Sequence, residues 1–211
     1  GVCEIGTWVY SEIIKLKKEV DYIIVSCHAG PEDSPWPIHY YVDLYKSYID
    51  AGASIIHGHH SHLPQGYQEY KDGLIIYGCG NFMVDPNIWA DYENGLWSYG
   101  VKVEFNKLNF KWSLHTFEIL QVEDCIQVIK SDKQEHLDYL KLCNKPLTDP
   151  ILLEAIWQEV ALRIYLKFYS GLLGFDSNKL DLSLLRKIYS YIRNYFKVDS
   201  SVKYDNTLHI K

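Results

Sequence analysis

Residues 22–30 read YIIVSCHAG, an apolar run that ends in a small polar turn containing His28. A short run rich in β-branched residues and stopped by glycine is typical of a buried strand. Two further runs have the same form, SIIHG at 54–58 and LIIYG at 74–78. A helical pattern at 40–50 lies between the first two, and a helix that connects two apolar strands indicates a largely parallel sheet. The sequence therefore predicts an α/β fold.

The three predicted strands each lead into a turn that contains glycine together with histidine or asparagine. The first ends at His28, the second at Gly58, and the third continues into Asn81. In open α/β sheets, ligands bind beyond the carboxyl ends of the strands. We therefore expect the functional site at this end of the sheet.

The pattern changes after residue 96. Segments 97–105 and 110–120 alternate between apolar and polar residues, which predicts an antiparallel β-hairpin. Helical patterns follow at 131–144, 151–169 and 181–196, and a polar tail at 197–211. We expect residues 1–120 to form the α/β part, and residues 121–211 to form a helical extension with a polar tail.

The composition argues against several classes of protein. The 211 residues contain 21 Lys and Arg against 27 Asp and Glu, a net charge of −6, whereas a nucleic-acid-binding protein normally shows a basic face. Hydrophobic residues make up 47% of the chain, which is too high for a disordered protein. No apolar run reaches the ~18 residues that a membrane helix needs. Five cysteines without a CxxC spacing favour free thiols over a disulfide framework.

Histidines are concentrated directly after the second predicted strand. Four of the nine histidines fall within six residues: His57, His59, His60 and His62. Neutral imidazole is the commonest protein ligand for zinc and similar ions, and His28 ends the neighbouring strand at the same edge. The pattern fits either three imidazoles that form half of a metal shell, or surface and hydrogen-bonded histidines that bind no ligand.

Four motifs, in order over residues 21–85, resemble those of the CapA-type capsule biosynthesis proteins. Residues 21–32 read DYIIVSCHAGPE, similar to the family's D-x-V-I-V-x-x-H-W-G-x-E, and residues 49–53 read IDAGA, similar to I-D-A-G-A-D. Residues 58–65 read GHHSHLPQ, similar to G-H-H-P-H-V-x-Q, and residues 77–82 read YGCGNF, similar to Y-S-L-G-N-F. These are the poly-γ-glutamate capsule proteins, which are related in fold to calcineurin-like metallophosphoesterases.

The resemblance implies a four-layer, metallophosphoesterase-like α/β sandwich with a metal site at the strand ends. It implies that His28 and His60 bind one divalent ion and His62 a second, with zinc, manganese or iron as the metal and two ions in the complete protein. It places four more residues around the metals or the substrate: Glu32, His59, Gln65 and Asn81. The chain departs from the motifs only at positions that are not ligands, with Ala29 for Trp, Ser54 for Asp, Ser61 for Pro and Gly78-Cys79 for Ser-Leu.

Two motifs of the family's first half do not occur in this sequence. They are Gly-Asp and Asn-Asn-His-x-x-x-Asp, which provide the family's carboxylate and amide ligands. We therefore expect the chain to be the C-terminal half of the sandwich with its helical extension. We expect it to be inactive alone, because a two-metal hydrolase needs oxygen ligands beside its imidazoles. A sheet face or edge should then be left uncovered, to be filled by the missing N-terminal half or by a second copy.

The resemblance implies a role in the biosynthesis of a capsule or another cell-envelope polymer, and a place at the bacterial cell envelope. The implied substrate is an anionic polymer or a small phosphorylated molecule, attacked with the help of a metal-activated water. Two alternatives stay open. One is a non-catalytic factor that binds or assembles an anionic polymer, and the other is a mononuclear zinc protein built on His28, His60 and His62.

Overall fold

The computed structural model describes residues 5–173, with side chains as far as residue 161 apart from residue 7. The helices are α1 (Thr7–Leu16), α2 (His39–Ala51), α3 (Pro86–Trp89), α4 (Gln134–Asn144) and α5 (Pro150–Leu173). The strands are β1 (Ile24–His28), β2 (Ile55–His59), β3 (Tyr67–Tyr70), β4 (Gly73–Ile76), β5 (Trp97–Phe105), β6 (Phe110–Val122) and β7 (Cys125–Ser131). The chain is a mixed α/β protein, as the apolar runs predict.

The first sheet has the strand order β1-β2-β4-β3. β1 pairs in parallel with β2, and β2 pairs in parallel with β4, so that Ile55 lies between Ile24 and Leu74. The predicted parallel arrangement is confirmed. β3 pairs antiparallel with β4. It was not predicted from the sequence, because its residues YQEY contain no apolar run.

Helix α2 makes the crossover from β1 to β2 and covers one face of this sheet. It ends at Gly52, whose φ of 119° lies in the left-handed region that glycine supplies at helix C-termini. On its inner side, Tyr45 forms a hydrogen bond with Cys27. Burial raises the pKa of the Cys27 thiol to about 11, so this cysteine contributes packing and hardly any thiolate.

The second sheet has the strand order β5-β6-β7 and is antiparallel throughout. The predicted hairpin is confirmed, with Phe105 paired to Phe110 across the turn. The turn is closed by Asn106, whose Oδ1 accepts hydrogen bonds from the backbone N–H groups of Leu108 and Asn109 at 2.9 and 3.0 Å. An asparagine that bonds its own turn in this way explains why the chain reverses here.

Strand β7 lies where the sequence analysis expects the start of a helical extension. Val122 pairs with Cys125, so that only Glu123 and Asp124 form the turn between β6 and β7. Glu123 adopts a positive φ of 53°, a conformation that two-residue hairpins normally assign to Asn, Asp or Gly. The turn therefore carries no usual sequence signal, and the third strand could not be read from it.

The core lies between the two sheets. Its first-sheet members are Ile55, Leu74 and Ile76, which meet Trp97 and Tyr99 of the second sheet. Because side chains alternate across a strand, Cys27 and the other residues that face α2 lie on the opposite side of the first sheet. The first sheet is thus the middle layer between α2 and the second sheet.

Strand β1 forms an outer edge of the first sheet. Within the described residues it has one neighbouring strand, β2, and the side chain of Ile24 in its first position is 56% exposed. An edge strand with an exposed apolar residue is a template for further strand pairing. This agrees with the expectation that a sheet edge is left uncovered in this chain.

The chain divides into two compact units, residues 1–157 and 158–211. The boundary expected at residue 120 stays a prediction, and strand β7 extends the sheet past that point. The helix expected at 181–196 and the tail at 197–211 lie outside the described residues. Among the described helices, none is both long and apolar enough to cross a membrane.

We expect G58A to destabilise the fold strongly. A Cβ at Gly58 would lie 2.3 Å from the backbone carbonyl oxygen of Tyr77, and a backbone atom inside a paired sheet cannot move aside. The free energy of unfolding should fall by about 1–3 kcal/mol or more, measured by urea titration. G100A is the matched control in β5, since its Cβ would meet only the side chain of Phe117, at 3.2 Å. Equal losses in the two variants would contradict this account.

We expect the stability to depend on pH through His136 in α4. Its ring stacks on Trp97 with centroids 4.3 Å apart, and burial lowers its pKa, opposed by Glu118 and Glu135 and assisted by Lys133. The folded state thus favours neutral imidazole. The resulting stabilisation is complete above the unfolded pKa of about 6.5 and is lost as the pH falls through the folded value.

The measurement is the free energy of unfolding of wild type and H136F at about pH 7.5 and about pH 5.5, the two sides of the unfolded pKa. Phenylalanine keeps the stack and removes the titrating group, so the variant should lose less stability on acidification. His57 and His59, whose pKa values are also lowered, contribute to the dependence that remains. An unchanged pH dependence in H136F would show that His136 does not contribute.

Candidate metal centre

Parallel pairing brings the histidines of two strands to one edge of the first sheet. In the register of β1 and β2, His28 lies directly opposite His59, and their rings are stacked with centroids 6.3 Å apart. His57, two residues earlier on β2, lies on the same face, 4.1 Å from the His59 ring. The predicted meeting of histidines at the carboxyl ends of these strands is therefore present.

The loop after β2 turns back through two residues in left-handed backbone conformation. His60 has a φ of 89° and His62 a φ of 58°, which is uncommon for residues other than glycine. The backbone of the intervening Ser61 holds the turn, since its carbonyl accepts a 3.0 Å hydrogen bond from the N–H of Asp33. The Ser61 hydroxyl donates to the carbonyl of Leu63 at 2.8 Å. Serine in place of the family's proline therefore still fixes the turn.

His28 and His60 face each other closely. Nδ1 of His60 lies 3.0 Å from Nε2 of His28, while two nitrogens bound to one tetrahedral zinc ion would be about 3.3 Å apart. On its other side, Nε2 of His60 lies 3.6 Å from a carboxylate oxygen of Glu32. The pair is thus spaced almost as two ligands of a single ion, with a carboxylate beside it.

His62 lies apart from that pair and has its own partners. Its ring centroid is 6.2 Å from that of His60, and its Nδ1 is 2.9 Å from Oδ1 of Asn81. The other end of the Asn81 amide, Nδ2, is buried without a hydrogen-bond partner among the described residues. If Nδ1 of His62 donates to Asn81, its Nε2 keeps a free lone pair, which is the arrangement of a metal ligand with an outer hydrogen-bond partner.

Trp89 is a member of this cluster that the sequence analysis missed. Its ring lies 4.8 Å from that of His62. Trp89 ends the short helix α3, which begins with Pro86 after Asp85, whose carboxylate caps the helix by accepting the N–H of Asn87 at 2.9 Å. Asp-Pro is a usual start of a helix and was the available signal, but nothing local connects Trp89 with a histidine 27 positions earlier.

Gln65 connects the loops around the site through buried hydrogen bonds. It is 3% exposed, and its Nε2 donates to the carbonyl of Ser34 at 2.9 Å. Its backbone N–H donates to Gly78 at 2.8 Å and its carbonyl accepts from the hydroxyl of Tyr99 at 3.0 Å. The side chain expected near the substrate therefore donates to the Ser34 loop, while the Gln65 backbone bonds Gly78 and Tyr99.

His57 and His59 are held in a neutral, partly buried state next to the pair. Burial lowers the pKa of each, with a further lowering of His57 by His59 and of His59 by His28. Nε2 of His59 lies 3.0 Å from the hydroxyl of Ser26, and Nε2 of His57 lies 3.7 Å from the Cys79 sulfur. Burial raises the pKa of the Cys79 thiol to about 12. The thiol therefore stays protonated, bonds His57 and does not form a reactive thiolate.

The donor set suits a borderline divalent ion, although the described side chains do not surround one completely. Imidazole nitrogens with a neighbouring carboxylate are ligands for zinc, manganese or iron. Within residues 5–161, no three His, Cys, Asp or Glu side chains converge closely enough to enclose a metal. The arrangement offers two nitrogens for one ion and, separately, His62 beside Asn81 for another. The resemblance implies the same division, and the assignment of these residues as ligands stays a prediction.

The segment that carries the histidines is similar to capsule synthesis proteins. The family described as bacterial capsule synthesis protein PGA_cap matches residues 6–86, which include β1, β2, β4 and all of the histidine cluster. The capsule biosynthesis protein CapA of Bacillus anthracis is 36% identical over 86 residues, which cover 41% of this chain and 21% of that protein.

Two further relatives match over similar lengths. The PGA biosynthesis protein CapA of Bacillus subtilis is 33% identical over 90 residues, covering 43% of this chain and 24% of the relative. A probable polyglutamine synthesis accessory protein of Mycobacterium tuberculosis is 34% identical over 77 residues, covering 36% and 20%. The matched region thus spans about a fifth to a quarter of the length of these relatives. The family match and these identities show that residues 6–86 of this chain are similar to part of the CapA-type capsule synthesis proteins.

Proposed function

We propose that this chain is part of a protein that synthesises a capsule or cell-envelope polymer of the poly-γ-glutamate type, and that its histidine cluster is part of a metal-dependent, hydrolase-like site. The observation that carries the proposal is the 3.0 Å approach of His60 Nδ1 to His28 Nε2, with Glu32 beside it. The names of the relatives support the polymer, and the donor set supports the metal.

The candidate residues would bind two ions at separate positions. His28 and His60 bind one ion, and Glu32 selects the tautomer of His60 in which Nδ1 carries the lone pair. His62 binds the second ion through Nε2, with Asn81 holding its other nitrogen. A bound divalent ion lowers the pKa of a water molecule and polarises a phosphoryl or amide oxygen. Because the chain has a net charge of −6, the ions also supply the positive field that an anionic substrate needs.

The alternative is a non-catalytic factor that uses the same edge of the sheet to hold an anionic polymer. The observation that favours it is the description of the mycobacterial relative as an accessory protein. The two functions differ in turnover, so the test of the proposal must measure both metal binding and hydrolysis.

We expect H28A and H60A each to weaken metal binding by this chain by more than about tenfold, because each removes one of two facing nitrogens. The measurement is isothermal titration with Zn²⁺ and Mn²⁺, checked by metal analysis after dialysis. H115A is the matched control, since His115 lies on β6 and bonds Ser113, away from the cluster. Unchanged affinity in H28A and H60A would refute the site.

The same substitutions decide between enzyme and binding factor in the intact gene product. Hydrolysis of poly-γ-glutamate and of a chromogenic phosphodiester should depend on metal and should be lost in H60A and H62A. Bound metal and retained polymer without turnover would instead establish the accessory role. Metal-dependent turnover by the present chain alone would show that its own residues suffice for the reaction.

We expect W89A to weaken metal binding about tenfold through His62, since removing an outer contact that orients a ligand has an effect of that size. W89F should retain most of the affinity, because a phenyl ring can still pack on the imidazole. The exposed Phe82, which lies in the loop before α3 and packs on Phe117 of β6, provides the control variant F82A. A loss in F82A equal to that in W89A would mean that the loop as a whole, and not the Trp89 ring, holds His62.

A further inference from the structure

A cleft lies at the opposite end of the first sheet from the histidines. It has a volume of about 560 Å³ and opens beside the residues that precede β1 and β2, next to the start of β4. Its other wall is the turn of the β5–β6 hairpin with Phe110 and Trp112. A volume of this size is in the range of small-molecule sites, about 300–1,000 Å³.

Hydrogen bonds between the two sheets fix the walls of this cleft. The hydroxyl of Tyr22 lies 2.5 Å from the carbonyl oxygen of Asn106 and 2.7 Å from that of Asn109, which ties the hairpin turn to the first sheet. The indole N–H of Trp112 donates to Glu69 at 2.8 Å. The cleft is therefore formed before any ligand arrives, which reduces the entropy cost of binding.

The lining carries charges of both signs in equal number: Lys17, Lys71, Lys107, Asp21, Glu69 and Asp72. Lys71 is paired with Asp50, and Glu69 accepts the Trp112 N–H. The other four form no ion pair within the described residues. The stem of Lys17 lies over Gly52, since a Cβ added there would be 3.1 Å from Lys17 Cδ, and this packing directs the lysine along the cleft wall.

We propose that this cleft binds a short peptide or amino acid in its zwitterionic form. The two unpaired lysines match a carboxylate, and the two unpaired aspartates match an ammonium group. The rings of Tyr22, Phe110 and Trp112 provide an apolar wall for the carbon skeleton between them. A ligand of a single charge would pair with half of the lining and leave the other half facing a like charge. The site is separate from the histidine cluster and stands independently of the function proposed for it.

The test uses three forms of one dipeptide with this chain. Alanylalanine carries both charges, its N-acetyl form lacks the ammonium group, and its C-terminal amide lacks the carboxylate. Titration calorimetry should show saturable binding of the free dipeptide, and binding about tenfold weaker for each blocked form, since each loses a charge-assisted hydrogen bond. Equal binding of the three forms, or no saturable binding up to the solubility limit, would overturn the proposal.

Paired variants assign the two ends of the ligand. K17A/K107A should lose the preference for the free carboxylate, and D21N/D72N the preference for the free ammonium group. K18A/K111A is the matched control, because Lys18 follows Lys17, Lys111 lies four residues after Lys107, and neither lines the cleft. All the substituted residues are exposed, so the fold should be retained, as checked by circular dichroism. A preference that survives in both test variants would contradict the assignment.

Nuclear magnetic resonance locates the binding independently of affinity. The indole N–H signal of Trp112, identified by its loss in W112F, should shift on addition of alanylalanine. The indole N–H of Trp97, which donates to Asn94 at 2.9 Å away from the cleft, should stay in place. A shift of Trp97 without Trp112 would place the dipeptide elsewhere and overturn the proposal.

Discussion

The parallel pairing of β1 with β2 is the constraint on which the rest of the structure depends. Its register sets His28 opposite His59, and the chain can bring His60 back to His28 only because β2 ends at that level. The close approach of Gly58 to Tyr77 then fixes β2 against the chain that follows β4. A shift of one residue in β1 would move His28 to the face that packs on α2. The sheet register therefore also sets the geometry of the candidate metal site.

Much of this framework could be predicted, because the features that create it are local in sequence. Apolar runs such as residues 54–58 predict a buried strand, and Gly52 predicts the end of α2. The strands β3 and β7 could not be predicted, since their stability comes from a partner strand and their own residues alternate weakly. Trp89 was missed for a related reason: its meeting with His62 depends on how α3 docks, which no short pattern records.

Within the candidate site, the sequence resemblance named the side chains and implied that His62 stands apart from His28 and His60, but it gave no role to Gln65 and no partner to Asn81. The contacts separate His28, His60 and Glu32 from His62 and Asn81, and they give Gln65 a structural task. The left-handed backbone conformations of His60 and His62 are energetically unfavourable. They are held by one backbone hydrogen bond, from Asp33 to Ser61, and by the hydroxyl of Ser61, which donates to Leu63. The chain thus bears a local cost in stability at the place where the proposed chemistry requires a fixed geometry.

The position of β1 at the rim of the sheet has a consequence for how an ion would act on the whole molecule. Outer strands open more readily than central ones, since part of their backbone faces water. His28 is carried by this strand, whereas His60 follows the central strand β2. An ion bound between His28 and His60 would link the edge strand β1 to the central strand β2, and its binding energy would stabilise their pairing. Loss of the ion would then make local opening of β1 more frequent, and opening of β1 would weaken ion binding.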